Sequence, residues 1–204
     1  MNRSRLPSQL VDTHGRAHNY LRISVTDRCN LRCTYCMPKE GLHWLPKPEI
    51  LTYEELAYLV HHFVDLGINR VRITGGEPTL RKDLSKLIRA LNHISGLDEI
   101  SLTTNGTRLD VLSQRLAAAG LSRVNISIDA ADPQRFAQLT RSTSDRFFQV
   151  DSGIRTAAKH FHTIKLNAVI LKEHNEDQLL PLIKYTAHLN SSHQGQFQLR
   201  FIEY

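Results

Sequence analysis

The three cysteines of this 204-residue chain, its only ones, lie within one short window. Cys29, Cys33 and Cys36 have the spacing C-x-x-x-C-x-x-C and follow a strand-like run at 21–25. Cysteine thiolates are the usual ligands of iron–sulfur clusters, and four of them close a 4Fe-4S cluster into an electron carrier. Three leave a coordination position open, as catalytic metal sites do. The spacing therefore predicts one 4Fe-4S cluster with an open iron.

Two other interpretations of the cysteines are a zinc site and a disulfide. Zinc needs a fourth ligand, which His14, His18 or His43 could supply, but the run lacks the paired spacing of structural zinc sites. A disulfide leaves one cysteine over and suits a secreted chain, for which the sequence gives no evidence. The spacing favours the open cluster over both.

The cysteine loop, with an aromatic residue at Tyr35, resembles the signature of radical S-adenosylmethionine (SAM) enzymes. In that family the open iron chelates SAM, and reductive cleavage of SAM yields a 5′-deoxyadenosyl radical. Further segments, in order from about residue 20 to the last, are similar to the GTP 3′,8-cyclases of molybdenum cofactor biosynthesis. These segments are LRISVTDRC (21–29), CMP (36–38), RITGGEP (72–78), LTTNG (102–106), NISIDA (125–130), NED (175–177) and LRFIEY (199–204).

The resemblance implies a set of ligand contacts. The implied SAM-binding residues are Tyr35, Gly75, Gly76, Glu77, Thr103 and Ser127. The implied GTP-binding residues are Arg22, Arg72, Lys165 and Arg200, with Arg70 a less certain addition. It further implies a lyase that converts GTP to 3′,8-cyclo-7,8-dihydro-GTP, using SAM, one 4Fe-4S cluster and an electron donor such as flavodoxin or ferredoxin. A homodimer is left open.

The cyclase family continues beyond the LRFIEY strand with three more cysteines, a second cluster and a glycine-containing tail. The resemblance therefore predicts a truncated cyclase that retains the SAM chemistry and lacks part of the substrate site. Two alternatives are a stand-alone radical SAM enzyme with another substrate and a non-catalytic iron–sulfur remnant.

Short β-branched runs alternate with helical stretches along the chain. The predicted strands are 21–25, 70–74, 99–103, 123–128, 163–170 and 198–202. Helix ends are marked by a capping box at Thr52 and Glu55, a stop at Gly67, a glycine cap at Gly120, an N-cap at Asp132 and a second box at Asn175 and Gln178. Repeated βα units predict an α/β fold with a parallel sheet. With the resemblance, they predict a partial (βα)6 TIM-like barrel of the radical SAM type, ending at the sixth strand.

One face of each predicted strand is apolar and the other is polar. Helices that cross over a parallel sheet cover its apolar face, so the polar face should line the interior of a curved sheet. Four cations on four strands, Arg22, Arg72, Lys165 and Arg200, converge on that interior. Guanidinium forks and an ammonium suit a triphosphate. Paired glycines at 75–76 would let the backbone approach a ligand closely.

The composition is that of an ordinary globular protein, with 41% hydrophobic and 23% charged residues. A net charge of +6 suggests an anionic partner, and its even spread makes an anionic small molecule at least as good an interpretation as nucleic acid. The polar segment 1–19 predicts an N-terminal extension to a core barrel at 20–204, without a signal peptide or membrane span. Closely spaced cysteines in such a chain predict a cytoplasmic setting.

Overall fold

A six-stranded, wholly parallel sheet forms the centre of the molecule in a computed structural model that describes residues 9–193 and 196–203. The strands pair in chain order, so each βα unit adds one strand beside the last. They are β3 (Tyr20–Ser24), β4 (Arg70–Thr74), β5 (Glu99–Thr104), β6 (Arg123–Ser127), β7 (Thr163–Ile170) and β8 (Gln196–Glu203). The predicted α/β class and parallel sheet are confirmed. A separate hairpin of β1 (Leu10–Val11) and β2 (Ala17–His18) precedes them.

Helices follow the strands and cover one face of the sheet. They are α1 (Tyr53–Asp65), α2 (Leu84–Asn92), α3 (Leu109–Ala118), α4 (Pro133–Thr140), α5 (Asp145–Ala157) and α6 (Leu179–Ser192). Short 3-10 turns occupy Lys47–Glu49, Pro78–Leu80 and Glu176–Gln178. The strand side chains that face the helices, such as Ile73, Leu102 and Ile126, are fully buried. They form one core with helix residues such as Leu87 and Leu116. Burial of this apolar face orients the polar face away from the helices.

Charges on distant strands influence one another across the polar face, which indicates that the sheet is curved. Burial lowers the pKa of Arg72 on β4, and the positive charges of Arg22, Arg123 and Arg200 lower that pKa further. In a flat sheet with strands about 4.8 Å apart, Arg200 on β8 would lie roughly 19 Å from Arg72. Charges that far apart are largely screened in water. The polar face therefore bends around a shared interior, called the lumen below.

The predicted element ends are confirmed in most places. Thr52 and Glu55 form the capping box, with Glu55 N–H donating to Thr52 Oγ1 at 3.2 Å and Thr52 N–H to Glu55 Oε2 at 2.7 Å. Asp132 caps α4 by accepting from Arg135 N–H at 2.7 Å. Gly120 follows α3 with a φ of +104°, the left-handed backbone that favours glycine. β3 begins and ends one residue earlier than predicted. β8 begins two residues earlier than predicted and ends one residue later.

The predicted second capping box, at Asn175 and Gln178, is wrong. Asn175 makes no side-chain cap, and α6 begins only at Leu179. The fully buried Asn175 instead accepts from Leu171 N–H at 2.7 Å and donates to the carbonyls of Asp129 at 2.9 Å and Val169 at 2.8 Å. Because buried backbone groups must be paired, the amide is used to join the ends of β6 and β7.

This assignment predicts that Asn175→Ala lowers the free energy of unfolding by about 3 kcal/mol, because several buried backbone groups lose a partner. Thr52→Ala, which removes a true helix cap, should cost about 1 kcal/mol. Urea denaturation of both variants measures the difference. Equal losses would mean that Asn175 is no more than a cap.

Candidate active site

The cysteine loop leaves the carboxyl end of β3, the edge where parallel sheets place their sites. Cys29 and Cys33 are partly buried and Cys36 is exposed. Burial raises the pKa of Cys29, and it raises that of Cys33 to about 12. Thiolates are the ligands of iron–sulfur clusters, so a cluster that binds here must displace the protons of these thiols. Three cysteines grouped in one loop form a donor set that fits such a cluster.

The described residues include no group of three or more Cys, His, Asp or Glu side chains placed to hold a single metal ion. Ligands of one zinc ion all lie about 2.3 Å or less from one point. In a 4Fe-4S cluster the thiolates bind separate irons, so they need not converge in this way. A cluster therefore does not require the three cysteines to converge on a single point.

The first half of the cysteine loop is tied to the end of β5. Asn105 Nδ2 donates to Asn30 Oδ1 at 2.8 Å and lies 3.9 Å from Cys29 Sγ. Asn30 Nδ2 in turn donates to Thr107 Oγ1 at 3.0 Å. These contacts join residues about 75 positions apart in sequence, and they hold Cys29 against the neighbouring strand end.

The second half of the loop is tied to the end of β6 and to α4. Tyr35 Oη donates to Asp129 Oδ2 at 2.7 Å, and Asp129 Oδ1 accepts from Val169 N–H at 2.8 Å. Burial raises the pKa of Asp129. Backbone N–H groups of Arg32 and Thr34 donate to carbonyls at the end of α4, at 3.0 and 2.9 Å. Tyr35, a predicted SAM contact, thus has a second role. Its hydrogen bond to Asp129 helps to position the cysteine loop.

The two glycines after β4 approach the chain itself. A Cβ added at Gly76 would lie 2.4 Å from the carbonyl oxygen of Arg28, and one at Gly75 would lie 2.5 Å from that of Thr26. Gly76 N–H donates to the Thr26 carbonyl at 2.7 Å. The glycines are therefore required so that this turn can pack against the segment leading into Cys29, a reason that the sequence did not reveal. Both remain exposed on their other side.

Glu77 is 1% exposed, and its carboxylate is satisfied by the protein. Oε1 accepts from the N–H and hydroxyl of Thr79 and, at 2.7 Å, from Thr104 Oγ1, whereas Oε2 accepts from Asn105 N–H at 2.6 Å. Its own N–H donates to the Arg28 carbonyl at 2.7 Å. The side chain thus joins the turn after β4 to the end of β5, and it positions Asn105 beside the cysteine loop.

Thr103 on β5 and Ser127 on β6 face the lumen from adjacent strands. Thr103 is paired in register with Asn125, and Ser127 with Asn167. Both hydroxyl residues are partly buried near the carboxyl ends of their strands. They lie on the polar face predicted from the alternation.

The four predicted phosphate-binding cations lie on one polar face. Arg22 is paired in register with Arg72, and both Arg22 and Arg200 are exposed, whereas Lys165 is 9% exposed. Burial lowers the pKa of Lys165, and the charges of Arg123 and Arg200 lower it further. These groups are therefore close enough to repel one another. Arg70, the first residue of β4, lies apart from them. Its Nη2 donates to Asn19 Oδ1 at 2.7 Å.

Sequence reasoning missed three residues at the amino-terminal end of the lumen: Tyr20, Glu99 and Arg123. The guanidinium of Arg123 pairs with Glu99, and the ring centre of Tyr20 lies 5.1 Å from the guanidinium of Arg72. Alternation alone could have placed all three on the polar face. In the described part of the chain, four buried lumen atoms have no hydrogen-bond partner: Tyr20 Oη, Arg72 Nε, Arg123 Nε and Asn125 Oδ1. Unpaired buried polar atoms of this kind require an explanation such as a bound ion or molecule.

A parallel sheet with a three-cysteine loop at its carboxyl edge defines the class of protein. The family model of the radical SAM superfamily matches residues 23–186. The chain belongs to the radical SAM superfamily. No helix among the described residues has both the length and the apolar composition needed to cross a membrane.

Within that superfamily the chain is similar to curated GTP 3′,8-cyclases. It is 45% identical over 197 residues to one from Limosilactobacillus fermentum, which covers 96% of this chain and 57% of the relative. It is 46% identical to one from Peptoclostridium acidaminophilum, over 96% of this chain and 58% of the relative. The chain thus spans a little over half the length of these relatives.

Solved structures share the fold at low sequence identity. Streptococcus suis SuiB bound to S-adenosylmethionine has a TM-score of 0.68 and 20% identity, over 91% of this chain and 40% of that one. HydG, a maturase of the [FeFe]-hydrogenase, has a TM-score of 0.72 and 12% identity, over 90% of this chain and 42% of that one. These likenesses support the fold alone.

The site predicts that Cys33→Ser abolishes iron incorporation on anaerobic reconstitution, since a cluster that loses one of three thiolates is not retained. Tyr35→Phe keeps all three thiolates and should retain most of the iron. Iron and sulfide analysis with the visible absorption spectrum measures both. Stoichiometric zinc and no iron in the unaltered chain would contradict the cluster assignment.

Glu77→Gln should lower the free energy of unfolding by about 2 kcal/mol, because an amide nitrogen then faces donors that the carboxylate satisfied. Glu40→Gln, on an exposed turn, should change it by less than about 0.5 kcal/mol. Denaturant unfolding of both variants, without iron or SAM, checks this. A Glu77→Gln variant as stable as the control would show that the carboxylate does not hold the strand ends.

Proposed function

We propose that this chain carries the SAM-cleaving and GTP-binding chemistry of a GTP 3′,8-cyclase. The observation that carries the proposal is the cationic lumen beneath the three-cysteine loop, where Arg22, Arg72, Lys165 and Arg200 face one interior. Similarity to curated cyclases over 96% of the chain supports the same reading.

Cys29, Cys33 and Cys36 would hold one 4Fe-4S cluster, which when bound to SAM supplies a reductively generated 5′-deoxyadenosyl radical. The exposed backbone at Gly75–Gly76 and the hydroxyls of Thr103 and Ser127 would bind SAM at the lumen side of the loop. Tyr35 would contact SAM with its ring, since its hydroxyl is used by Asp129. Glu77 would act on SAM only indirectly, through the turn and through Asn105.

The lumen cations would bind the triphosphate of GTP. Their mutual repulsion would be relieved when an anion binds, and a bound phosphate would favour the protonated form of Lys165 that burial disfavours. Tyr20 Oη, Arg123 Nε and Asn125 Oδ1 offer further polar groups in the same lumen. The arrangement selects an extended anion over a neutral sugar or peptide.

Three further features complete the proposal. A one-electron donor of the flavodoxin or ferredoxin type would reduce the cluster, and a reducing cytoplasm would keep the cysteines available for iron. A homodimer is compatible with the chain. A different anionic substrate for the same radical chemistry is the alternative that the next experiment separates.

Anaerobically reconstituted protein, reduced with dithionite, should convert SAM to 5′-deoxyadenosine in the presence of GTP. Forming the C3′–C8 bond requires loss of the C3′ hydrogen, so GTP deuterated at C3′ should transfer deuterium to 5′-deoxyadenosine. Mass spectrometry of both products checks this. Unlabelled 5′-deoxyadenosine would favour another substrate.

Lys165→Met should weaken binding of GTP about tenfold, because a well-formed charged contact is worth roughly 1.5 kcal/mol or more. Lys184→Met, which removes the same charge from exposed α6, should leave the affinity within about twofold. Calorimetry at fixed ionic strength compares them. Equal losses in both variants would mean that only net charge matters.

Binding of GTP should also weaken as pH rises toward alkaline values, starting below the usual lysine range, because the pKa of Lys165 is lowered. Its amine is protonated below that depressed pKa and neutral above it, so only the lower-pH form attracts phosphate. The Lys165→Met variant should lack this part of the pH dependence. Identical pH profiles for the two proteins would assign the titration to another group.

A further inference from the structure

A groove lies on the outer side of the segment that leads into Cys29. It has a volume of about 600 Å³ and runs between this segment, the start of α1 and residues 80–86. Its lining includes Val25, Thr26 and Arg28 on one side and Tyr53, Leu80 and Lys82 on the other. The buried Val25 belongs to the apolar strand face, so the groove opens on the helix side and not into the lumen.

The groove is built on a fixed guanidinium. Arg81 Nη1 donates to the Val25 carbonyl at 2.8 Å, and its Nη2 donates to the Leu51 carbonyl at 2.6 Å. The same guanidinium lies 4.2 Å from the ring centre of Tyr53, whose hydroxyl donates to the Lys82 carbonyl at 2.9 Å. These contacts hold the cysteine-loop segment, the start of α1 and the turn before α2 in one arrangement.

The rim of the groove is basic and its surroundings are apolar. Its exposed cations outnumber its carboxylates: the cations are Arg28, Lys47, Lys82 and Lys86, and the carboxylates are Glu54 and Asp83. Asp83 already pairs with Lys86 at 3.3 Å. Leu51, whose carbonyl is bonded to Arg81, is 44% exposed beside the groove. A basic rim next to exposed apolar surface suits a transient protein interface, whose rim is polar.

The groove is also the surface next to the cluster ligands. Arg28, on its wall, immediately precedes Cys29, and the Arg28 carbonyl is held by Glu77 N–H at 2.7 Å. A partner seated here would therefore lie beside the cysteine loop and leave the lumen free for substrate. A carrier that must deliver electrons while substrate is bound needs both properties.

We propose that this groove is the docking surface for an acidic one-electron carrier protein, an inference that rests on the proposed radical SAM function. In the docked complex a reduced carrier loses one electron and the cluster gains it, and no atoms are transferred. The basic rim would steer an acidic partner and fix its orientation, which raises the association rate more than it tightens the complex.

The test compares two charge-reversed double variants of the reconstituted protein. Lys47→Glu/Lys82→Glu reverses two rim charges, and Lys159→Glu/Lys184→Glu makes the same change on exposed residues outside the groove. Binding of an acidic flavodoxin is measured by calorimetry at low and high salt. SAM cleavage is measured with reduced flavodoxin and, separately, with dithionite, which needs no docking surface.

We expect the rim variant to bind flavodoxin about tenfold or more weakly at low salt, with a reduced salt dependence, and the control to change by less than about twofold. With flavodoxin at concentrations below saturation the rim variant should cleave SAM about tenfold more slowly, while its rate with dithionite is unchanged.

Equal flavodoxin binding by the two variants would overturn the proposal. So would a change of oligomeric state confined to the rim variant, which would assign the groove to contacts between copies of this chain. Loss of cleavage with dithionite in the unaltered protein would instead refute the proposed function.

Discussion

The carboxylate of Glu77, buried between the ends of β4 and β5, accepts hydrogen bonds from Thr79, Thr104 and Asn105. A buried carboxylate is costly unless its oxygens are paired, and here they are paired by groups from two strand ends. The bond to Asn105 orients the amide that holds Asn30, and Glu77 N–H holds the Arg28 carbonyl. Arg28 and Asn30, the residues on either side of Cys29, are thereby both fixed through Glu77, one by its backbone and one by its side chain. The geometry of the cysteine loop depends on this interaction.

The same sheet carries two surfaces of opposite chemistry. Its apolar face packs under the helices, and burial of residues such as Ile73 and Ile126 supplies the main driving force for folding. Its polar face collects like charges, so that Lys165 and Arg72 are held where burial and repulsion disfavour their charged forms. Binding of an anion would offset this cost, and it would link the stability of the lumen to its occupancy. The proposed anion site thus uses the face of each strand that does not contribute to the core.

Patterns confined to a few residues predicted local structure well. The capping box at Thr52, the N-cap at Asp132 and the period-2 alternation of the strands depend on neighbours in sequence, and the structure confirms them. Asn175 has the same local pattern, yet it is bonded to the backbone at Asp129 and Val169. The glycine pair suggested a ligand approach, but its close neighbour is the backbone at 26–28. A local pattern does not tell which distant segment will occupy the space beside it.

By itself the sequence determined the cysteine spacing, the order of strands and helices, and the face on which each charged residue stands. Periodicity and spacing are properties of the chain, and they need no knowledge of the partners. Only the tertiary structure decided that Asp129 receives Tyr35, that Arg123 and Tyr20 join the lumen cations, and that Glu77 faces inward to its own protein. These outcomes depend on how strand ends far apart in sequence meet after the sheet curves. The curved sheet is built from six strands spread along the chain, so no single segment encodes its curvature.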